Sequence, residues 1–294
     1  MEAEINYLKV GKATDLSGRD RKIYRFFEIL PGVLSWGTLI GLTTFSYFYP
    51  TWVAYFLLAF DVYWLLLVIY LGIHLIVSYK KMQENVKVDW KTECEKIDGW
   101  GEVVQLIIFP TYREPLEVIR PSFQSLLDDG YPTEKMIVVL AVEERGGEEA
   151  IFNAKTIEKE FGGRFKRFLY TVHPDDIPNE LKGKGANQAW AAKEVKREII
   201  DMDGIDTDNL LVSVFDMDTI IRPGYFYRLT YLFKTVENPY RASYQPIPVY
   251  HNNVWQAPFF ARVAASSNTF WQMMQQIRQE KLATYSSHSM TWRA

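Results

Sequence analysis

The chain has 294 residues, of which 48% are hydrophobic and 15% aromatic, and its formal net charge is −3. That length suffices for one large core, or for a soluble domain joined to a membrane anchor. The chain contains 33 Lys and Arg and 36 Asp and Glu, so it has no overall basic excess that would favour nucleic acid as a partner. The single cysteine, Cys94, excludes an intramolecular disulfide framework and a cysteine zinc cluster, and we expect it to be an incidental thiol near the membrane.

Two long apolar stretches follow a basic segment at 1–25. They cover 26–48 and 52–78, and each exceeds the roughly 20 residues that a helix needs to cross a hydrocarbon core. Positive charge flanks both outer ends of the pair, and the aromatic turn between them has none. By the positive-inside rule, the N-terminus and everything after Lys80 are cytoplasmic. The sequence therefore predicts an integral membrane protein of the cell or inner membrane, with a two-helix transmembrane hairpin at 26–79 in the lipid bilayer.

The rest of the chain predicts an α/β domain. Residues 80–101 are charged and predict an irregular linker, and from 102 to 294 short apolar strands alternate with amphipathic helices. This alternation is typical of a mostly parallel sheet with flanking helices. The predicted strands cover 103–109, 136–142, 167–172, 210–215, 241–250 and part of 283–292, and the predicted helices cover 116–127, 148–161, 184–200, 225–236 and 259–281.

The strand at 210–215 ends on two carboxylates, Asp216 and Asp218. In open α/β sheets, ligands collect at the carboxyl ends of strands. Two carboxylates spaced i and i+2 can face one divalent cation, with water and substrate phosphates completing its shell. The alternative is an ordinary acidic turn, and the spacing alone does not decide between the two.

A second Asp-Met-Asp, at 201–203, follows a helix and has no strand before it. That context predicts a solvated acidic loop with a structural role. The contrast favours Asp216 and Asp218 as the pair that carries chemistry.

Other polar residues follow the neighbouring strands. Glu143 could accept hydrogen bonds from a ribose hydroxyl or a base N–H, or could belong to an exposed turn. Lys184 lies at a predicted helix N-terminus, where backbone N–H groups favour an anion such as diphosphate, although a capping turn with a surface lysine is the alternative. If the strands are parallel neighbours, these residues share one edge of the sheet and form a pocket for phosphates, a metal and a ribose.

The order of three motifs resembles a known family. Phe-Pro-Thr-Tyr-Arg-Glu-Pro at 109–115, Lys-Gly-Ala-Asn at 184–187 and Phe-Asp-Met-Asp at 215–218 follow a membrane hairpin, as in membrane-embedded family 2 glycosyltransferases of the cellulose and hyaluronan synthase type. The resemblance covers roughly 103–294. It implies a GT-A fold and the transfer, with inversion, of a sugar from a nucleotide-diphosphate sugar. The implied donor is a UDP-sugar, and the implied acceptor is a glycan or a lipid at the cytoplasmic face, as in polysaccharide biosynthesis.

The resemblance also implies roles for individual residues. Thr111 and Glu114 resemble residues that line the nucleoside, and Lys184 resembles the lysine near the diphosphate. Glu143 stands where the family usually has aspartate for the base, a departure that leaves the nucleobase open.

The implied metal is Mg²⁺ or Mn²⁺. Asp216 and Asp218 match the metal and nucleotide carboxylates of the family, with Asp218 the expected direct ligand.

The family's general base belongs to a Thr/Ser-Glu-Asp-like motif that this sequence lacks, as it also lacks a Gln-x-x-Arg-Trp. We therefore expect a chain that is truncated or completed by a second polypeptide, and that transfers sugar poorly alone. Two other classes remain: a non-catalytic donor-binding or scaffolding membrane subunit, and a nucleotidyltransferase with a similar metal site, whose soluble habit fits the hairpin poorly.

Overall fold

The structure is a computed structural model that describes residues 13, 16–178, 180–250, 254–278, 284–285 and 287–294. The chain divides into two compact units, one formed by 1–74 with 178–181, and the other by 75–177 with 182–294. The helices are α1 (Gly18–Phe48), α2 (Pro50–Lys87), α3 (Trp90–Glu95), α4 (Leu116–Asp128), α5 (Glu148–Phe161), α6 (Lys184–Val195), α7 (Asp201–Asp203), α8 (Tyr225–Thr235) and α9 (Phe259–Gln275). The strands are β1 (Val104–Thr111), β2 (Met136–Glu143), β3 (Arg167–His173), β4 (Leu210–Val214), β5 (Ser243–Tyr244) and β6 (His288–Thr291).

Helices α1 and α2 are each long and apolar enough to cross a membrane. Neither has a buried residue in its most apolar window, and most of their large apolar side chains are exposed. A helix that is apolar on all sides needs apolar surroundings, which is typical of a membrane span. The predicted pair of apolar helices is confirmed, although each helix is longer than its apolar stretch.

Residues 80–101 are not irregular, as the sequence predicted, because α2 continues to Lys87 and α3 packs against α8. The ring of Trp90 lies edge-on to that of Tyr231, at 5.3 Å between centroids, and the guanidinium of Arg228 lies 5.1 Å from the centroid of the same Trp90 ring. Cys94 is fully buried in the same cluster. It is therefore a core residue, and its prediction as an incidental thiol was wrong.

The six strands lie in the order β3-β2-β1-β4-β6-β5. Strands β3, β2, β1 and β4 are mutually parallel, and β6 runs antiparallel to β4 and β5. The predicted α/β fold, a mostly parallel sheet with flanking helices, is confirmed. From β1 the chain moves outward through β2 and β3, and then returns to the other side of β1 to form β4. The carboxyl ends of β1 and β4 therefore flank a topological switch point, where ligands bind in sheets of this kind.

Both faces of the sheet are apolar because both are covered by helices. On β1, Ile107 and Phe109 point into a core shared with α4, α5 and α8. Leu106 and Ile108 point into a second core, shared with α6 and the turn of π-helix that follows it at 196–200. This alternation is the two-residue period of a strand.

The C-terminal elements are shorter than predicted. The strand expected at 241–250 is reduced to β5, and Pro246 and Pro248 beyond it have no N–H to donate to a ladder. The strand expected within 283–292 is β6. Helix α9 ends at Gln275, and residues 279–281 of the predicted helix lie outside the described residues.

Asp129, which is distant in sequence from α8, stabilises the N-terminus of that helix. Its buried carboxylate accepts hydrogen bonds from the backbone N–H groups of Tyr225 at 2.7 Å and Phe226 at 3.4 Å, and of Tyr131 at 3.3 Å. Burial raises the pKa of Asp129 to about 7, although these N–H groups favour the ionised form. Asp129 thus serves as the N-terminal cap that Gly224, the residue before the helix, cannot provide with a side chain.

Replacing Asp129 by alanine is expected to lower the free energy of unfolding by about 1–2 kcal/mol, because it leaves buried N–H groups without an acceptor. Because burial raises the pKa of Asp129 from 3.8 to about 7, losing its proton in the folded state costs free energy that offsets these hydrogen bonds, so the net stabilisation by Asp129 is complete below pH 3.8 and is lost as pH rises to about 7. Denaturant titrations of the full chain in detergent micelles should show the difference from wild type narrowing between those pH values. Asp128→Ala, at an exposed neighbour, is the control. A constant difference over that range would contradict the prediction.

Candidate functional site

The end of β4 presents both carboxylates of the Asp-Met-Asp to the edge of the sheet. The N–H of Phe215 donates to the carbonyl of Ile108 at 3.1 Å, so pairing with β1 continues one residue past the strand. Phe215 and Met217 are buried, whereas Asp216 is half-buried and Asp218 is exposed. The alternation of the strand therefore continues through the turn, with the apolar residues inward and the carboxylates outward.

Asp216 is held by residues from two other elements. The ammonium of Lys184, the first residue of α6, forms an ion pair with its carboxylate. The N–H of Asp216 donates to the hydroxyl of Ser287 at 3.2 Å, and that hydroxyl lies 3.5 Å from the carboxylate. Lysine and aspartate balance one another's charge at the carboxyl end of β4. Ser287 escaped the sequence analysis because only the antiparallel pairing of β6 with β4 brings it there.

The position of Lys184 is fixed from inside the protein. Asn187, in the same Lys-Gly-Ala-Asn segment, is fully buried and donates from its amide to the carbonyl of Ala141 at 2.7 Å. This bond ties the first turn of α6 to β2. The N-terminus of α6, with its exposed N–H groups, is therefore anchored beside the strand ends.

The donor set suits a cation that arrives with an anionic ligand. Within the described residues, no three His, Cys, Asp or Glu side chains form a group that could hold a metal ion. Mg²⁺ is commonly bound by one or two carboxylates together with substrate phosphates and water. Asp216 and Asp218 provide that number of carboxylates at one turn, so the residues fit a Mg²⁺ or Mn²⁺ ion shared with a bound diphosphate.

Glu114 organises the loop that follows β1. One oxygen of its carboxylate accepts from the hydroxyl of Thr111 at 2.7 Å and from the N–H groups of Tyr112 at 2.6 Å and Arg113 at 3.0 Å. Burial raises the pKa of Glu114, but these hydrogen bonds outweigh it, so its pKa lies below the ordinary value. The nucleoside-lining role that the family resemblance implies for Thr111 and Glu114 stays a prediction, whereas the shaping of this loop by Glu114 is observed.

Glu143, at the end of β2, is buried and forms an ion pair with Arg145. It is therefore not the exposed turn residue that one interpretation of the sequence expected. The guanidinium of Arg145 lies 4.7 Å from the ring centroid of Tyr112, and that of Arg113 lies 4.9 Å from the same ring. The loops after β1 and β2 thus meet around Tyr112, which puts Thr111 and Glu143 on one side of the switch point.

The second Asp-Met-Asp lies at the opposite edge of the sheet. Asp203 makes two hydrogen bonds, of 2.7 and 2.6 Å, to Arg167, the first residue of β3, and Asp201 pairs with Lys196 at 2.7 Å. The segment is a short helical turn and not a loop, since it forms α7. It is remote from the carboxyl ends of the strands.

Replacing Glu114 by alanine is expected to lower the free energy of unfolding by about 1 kcal/mol at pH 7, a modest loss because the carboxylate is partly exposed. Because its pKa is lowered on folding, Glu114 stabilises the protein above its ordinary pKa of 4.5, and this contribution is lost as pH falls through the lower, folded value. Thermal unfolding followed by circular dichroism in detergent measures both effects. Glu117→Ala, in the exposed first turn of α4, should change little at either pH, and an equal loss in both variants would contradict the role of Glu114.

These features define the class: an α/β protein with an acidic strand-end site at the switch point of a mostly parallel sheet, preceded by two apolar helices. No protein-family profile matches the chain, and no curated protein matches it. Among solved structures, the chain is similar to the mannosyltransferase PcManGT from Pyrobaculum calidifontis in complex with GDP-Man and Mn²⁺, at 13% identity and a TM-score of 0.38. The match covers 77% of this chain but only 55% of the mannosyltransferase. A TM-score this low does not establish a shared fold.

Proposed function

We propose that the chain is a membrane-anchored, metal-dependent glycosyltransferase of the family 2, GT-A type. It binds a nucleotide-diphosphate sugar between the ends of β1 and β4 and passes the sugar, with inversion, to a glycan or lipid acceptor. The observation that carries this proposal is the convergence at one edge of the sheet of Asp216, Asp218 and Lys184 on one side and the loop from Thr111 to Glu114 on the other.

The charges at this edge suit a diphosphate with its cation. In the structure Lys184 and Asp216 neutralise one another. A bound donor gives each a new partner, since the ammonium and the α6 N-terminus favour phosphate oxygens. Asp216 and Asp218 would hold Mg²⁺ or Mn²⁺, which when bound would supply positive charge for the leaving diphosphate. Replacing the Lys184–Asp216 ion pair by a lysine–phosphate and an aspartate–metal contact costs little free energy, because neither charge is left without a partner.

The opposite side of the switch point suits the nucleoside. Thr111 and Glu114 line it, and Glu143 offers a carboxylate paired with Arg145, whose guanidinium lies against the Tyr112 ring. Since Glu143 already pairs with Arg145, base recognition there involves a carboxylate and a guanidinium together. The choice between a uracil and a guanine nucleotide sugar depends on how the Glu143–Arg145 ion pair separates when the base binds.

Helices α1 and α2 form the anchor of the proposed enzyme. Their exposed apolar surface suits hydrocarbon, and the basic residues that flank them favour, by the positive-inside rule, a cytoplasmic location for the residues that follow Lys80. A domain held there has access to cytosolic nucleotide sugars and to acceptors in or near the bilayer.

The experiment that tests the proposal measures donor binding by the full chain in lipid nanodiscs. A panel of UDP- and GDP-sugars is titrated by calorimetry with Mg²⁺, with Mn²⁺ and with EDTA. We expect one nucleotide class to bind in the presence of metal and to be released by EDTA, and metal-independent binding or no binding would refute the proposal. Turnover on the same samples separates the enzyme from a non-catalytic donor-binding subunit. Release of pyrophosphate from an NTP and a sugar phosphate would instead identify a nucleotidyltransferase.

A further inference from the structure

Helix α9 has its polarity reversed relative to an ordinary surface helix. Two glutamines, Gln272 and Gln275, are buried against the protein beside Met273, and the hydroxyl of Thr269 donates to the carbonyl of Pro248 at 3.0 Å. The large apolar side chains of the helix are mostly on the outside. Those that are exposed, together with Trp255 just before the helix, are Phe259, Phe260, Val263, Phe270 and Trp271.

This apolar face, which we call the outer face of α9, is too large to be incidental. The two most exposed side chains are Trp255 at 84% and Phe260 at 82% of their full surface. Single apolar residues on a surface need no explanation, but a contiguous aromatic patch marks a site of interaction with protein or membrane. The described residues from 254 to 278 include no Asp or Glu, and their only charged side chains are Arg262 and Arg278.

A hollow on α9 carries one of these two charges. It is a shallow, open depression lined by Phe259, Arg262, Val263, Ser266, Ser267 and Phe270. The Nε of Arg262 is buried and has no hydrogen-bond partner among the residues that the structure describes. A guanidinium flanked by two serine hydroxyls is suited to a phosphate oxygen.

The contact between α9 and α2 favours lipid as the partner that covers the outer face of α9. The hydroxyl of Ser78, near the end of α2, donates to the carbonyl of Met273 in α9 at 2.6 Å, a buried contact within one compact unit. Ile76 and Val77 beside it are exposed, and Lys80 follows. This transition from apolar to basic residues is where a membrane-spanning helix meets the lipid headgroups. The last turns of α9 therefore lie beside this transition in α2.

We infer that the outer face of α9 lies against the bilayer that α2 crosses, at the boundary between headgroups and acyl chains. The aromatic side chains insert into the boundary, and the hollow at Arg262 takes a phosphate of an anionic lipid headgroup. Aromatic residues combined with positive charge are typical of helices that lie in the plane of the membrane interface. This second contact holds the folded unit itself on the membrane and does not depend on the activity proposed above.

The test places a reporter on the outer face and measures its depth. Phe260→Cys in the full chain is labelled with an NBD maleimide and reconstituted into vesicles of phosphatidylcholine and phosphatidylglycerol. Phe152→Cys is the matched control, because Phe152 is an exposed aromatic residue, at 65%, on α5. The native Cys94 is fully buried, and burial raises the pKa of its thiol to about 11, so the unsubstituted chain should not take the label.

We expect the emission of the label at position 260 to shift to the blue in vesicles and to be quenched by lipids that carry a nitroxide high on the acyl chain. The label at position 152 should keep the emission of a water-exposed dye and escape quenching. Equal emission at the two positions would overturn the inference. So would a blue shift at position 260 without lipid quenching, because that result means that protein, such as a second copy of the chain, covers the outer face of α9.

Discussion

Replacing Asp218 by alanine is expected to weaken metal-dependent binding of the nucleotide sugar by about 100-fold, the scale of losing a metal-binding carboxylate. Asp218 is exposed at the end of β4, and Met217 beside it supplies the core contacts. Removal of its carboxylate therefore takes away a ligand for the cation without opening a cavity. Calorimetric titration of the variant in nanodiscs with Mn²⁺ measures the loss, and its thermal unfolding should match that of the wild type.

The chain contains its own control for this experiment. Asp201→Ala changes the same tripeptide, Asp-Met-Asp, at the other edge of the sheet, where Asp201 pairs with the exposed Lys196. Exposed ion pairs contribute little to stability, so this variant should fold and should bind the donor as wild type does. If both substitutions weaken donor binding equally, binding depends on the total acidic charge of the chain and not on the position of Asp218 at the end of β4, and the prediction is wrong.

The sequence was sufficient to predict the parts of the fold that depend on local pattern. The apolar run at 210–215 and its abrupt polar end predicted both the buried strand and the outward carboxylates, because strand alternation continues into the turn. The helix from Glu148 to Phe161 was predicted with its observed bounds, since a Gly-Gly pair precedes it and another follows. Residues that begin or end a helix, such as these glycines, predict its bounds without knowledge of what the helix packs against.

What the sequence did not predict depends on contacts between distant residues. Ser287 reaches Asp216 only because β6 pairs with β4, and Glu143 is buried only because Arg145 folds over it toward Tyr112. Cys94 is a core residue because α3 packs on α8. None of these positions differs in local pattern from an ordinary loop residue, so pattern alone could not assign them.

The outer face of α9 could be predicted only in part from the sequence. The sequence predicts a helix over 259–281 and shows its aromatic residues, but not what covers them. The pattern of a helix gives its apolar side but not the environment of that side, because core, partner and bilayer all demand the same residues. The structure shows that the apolar side points outward, because Phe259 and Phe260 are exposed while Gln272 and Gln275 are buried on the other side.

Replacing Gly146 by alanine is expected to cost about 3 kcal/mol of folding free energy, the upper range for forcing extra volume into a packed site. A Cβ at this position would lie 2.1 Å from the backbone carbonyl oxygen of Tyr112 and 2.9 Å from the Cβ of Ala150. The carbonyl cannot withdraw alone, since the N–H of the same peptide unit, that of Arg113, is bonded to Glu114. The loops after β1 and β2 must therefore separate, and donor binding should weaken together with stability.

Gly163→Ala supplies the comparison, because a Cβ there meets no atom within 4 Å. Its effect on the free energy of unfolding should stay within about 0.5 kcal/mol, as for most surface substitutions. Denaturant titration of both variants in micelles and calorimetry with the donor separate two outcomes. Loss of both stability and binding in Gly146→Ala alone means that the contact between the two loops shapes the nucleoside side of the site. Unchanged binding in a destabilised Gly146→Ala would show instead that the donor does not contact these loops, and the roles proposed for Thr111 and Glu143 would then be wrong.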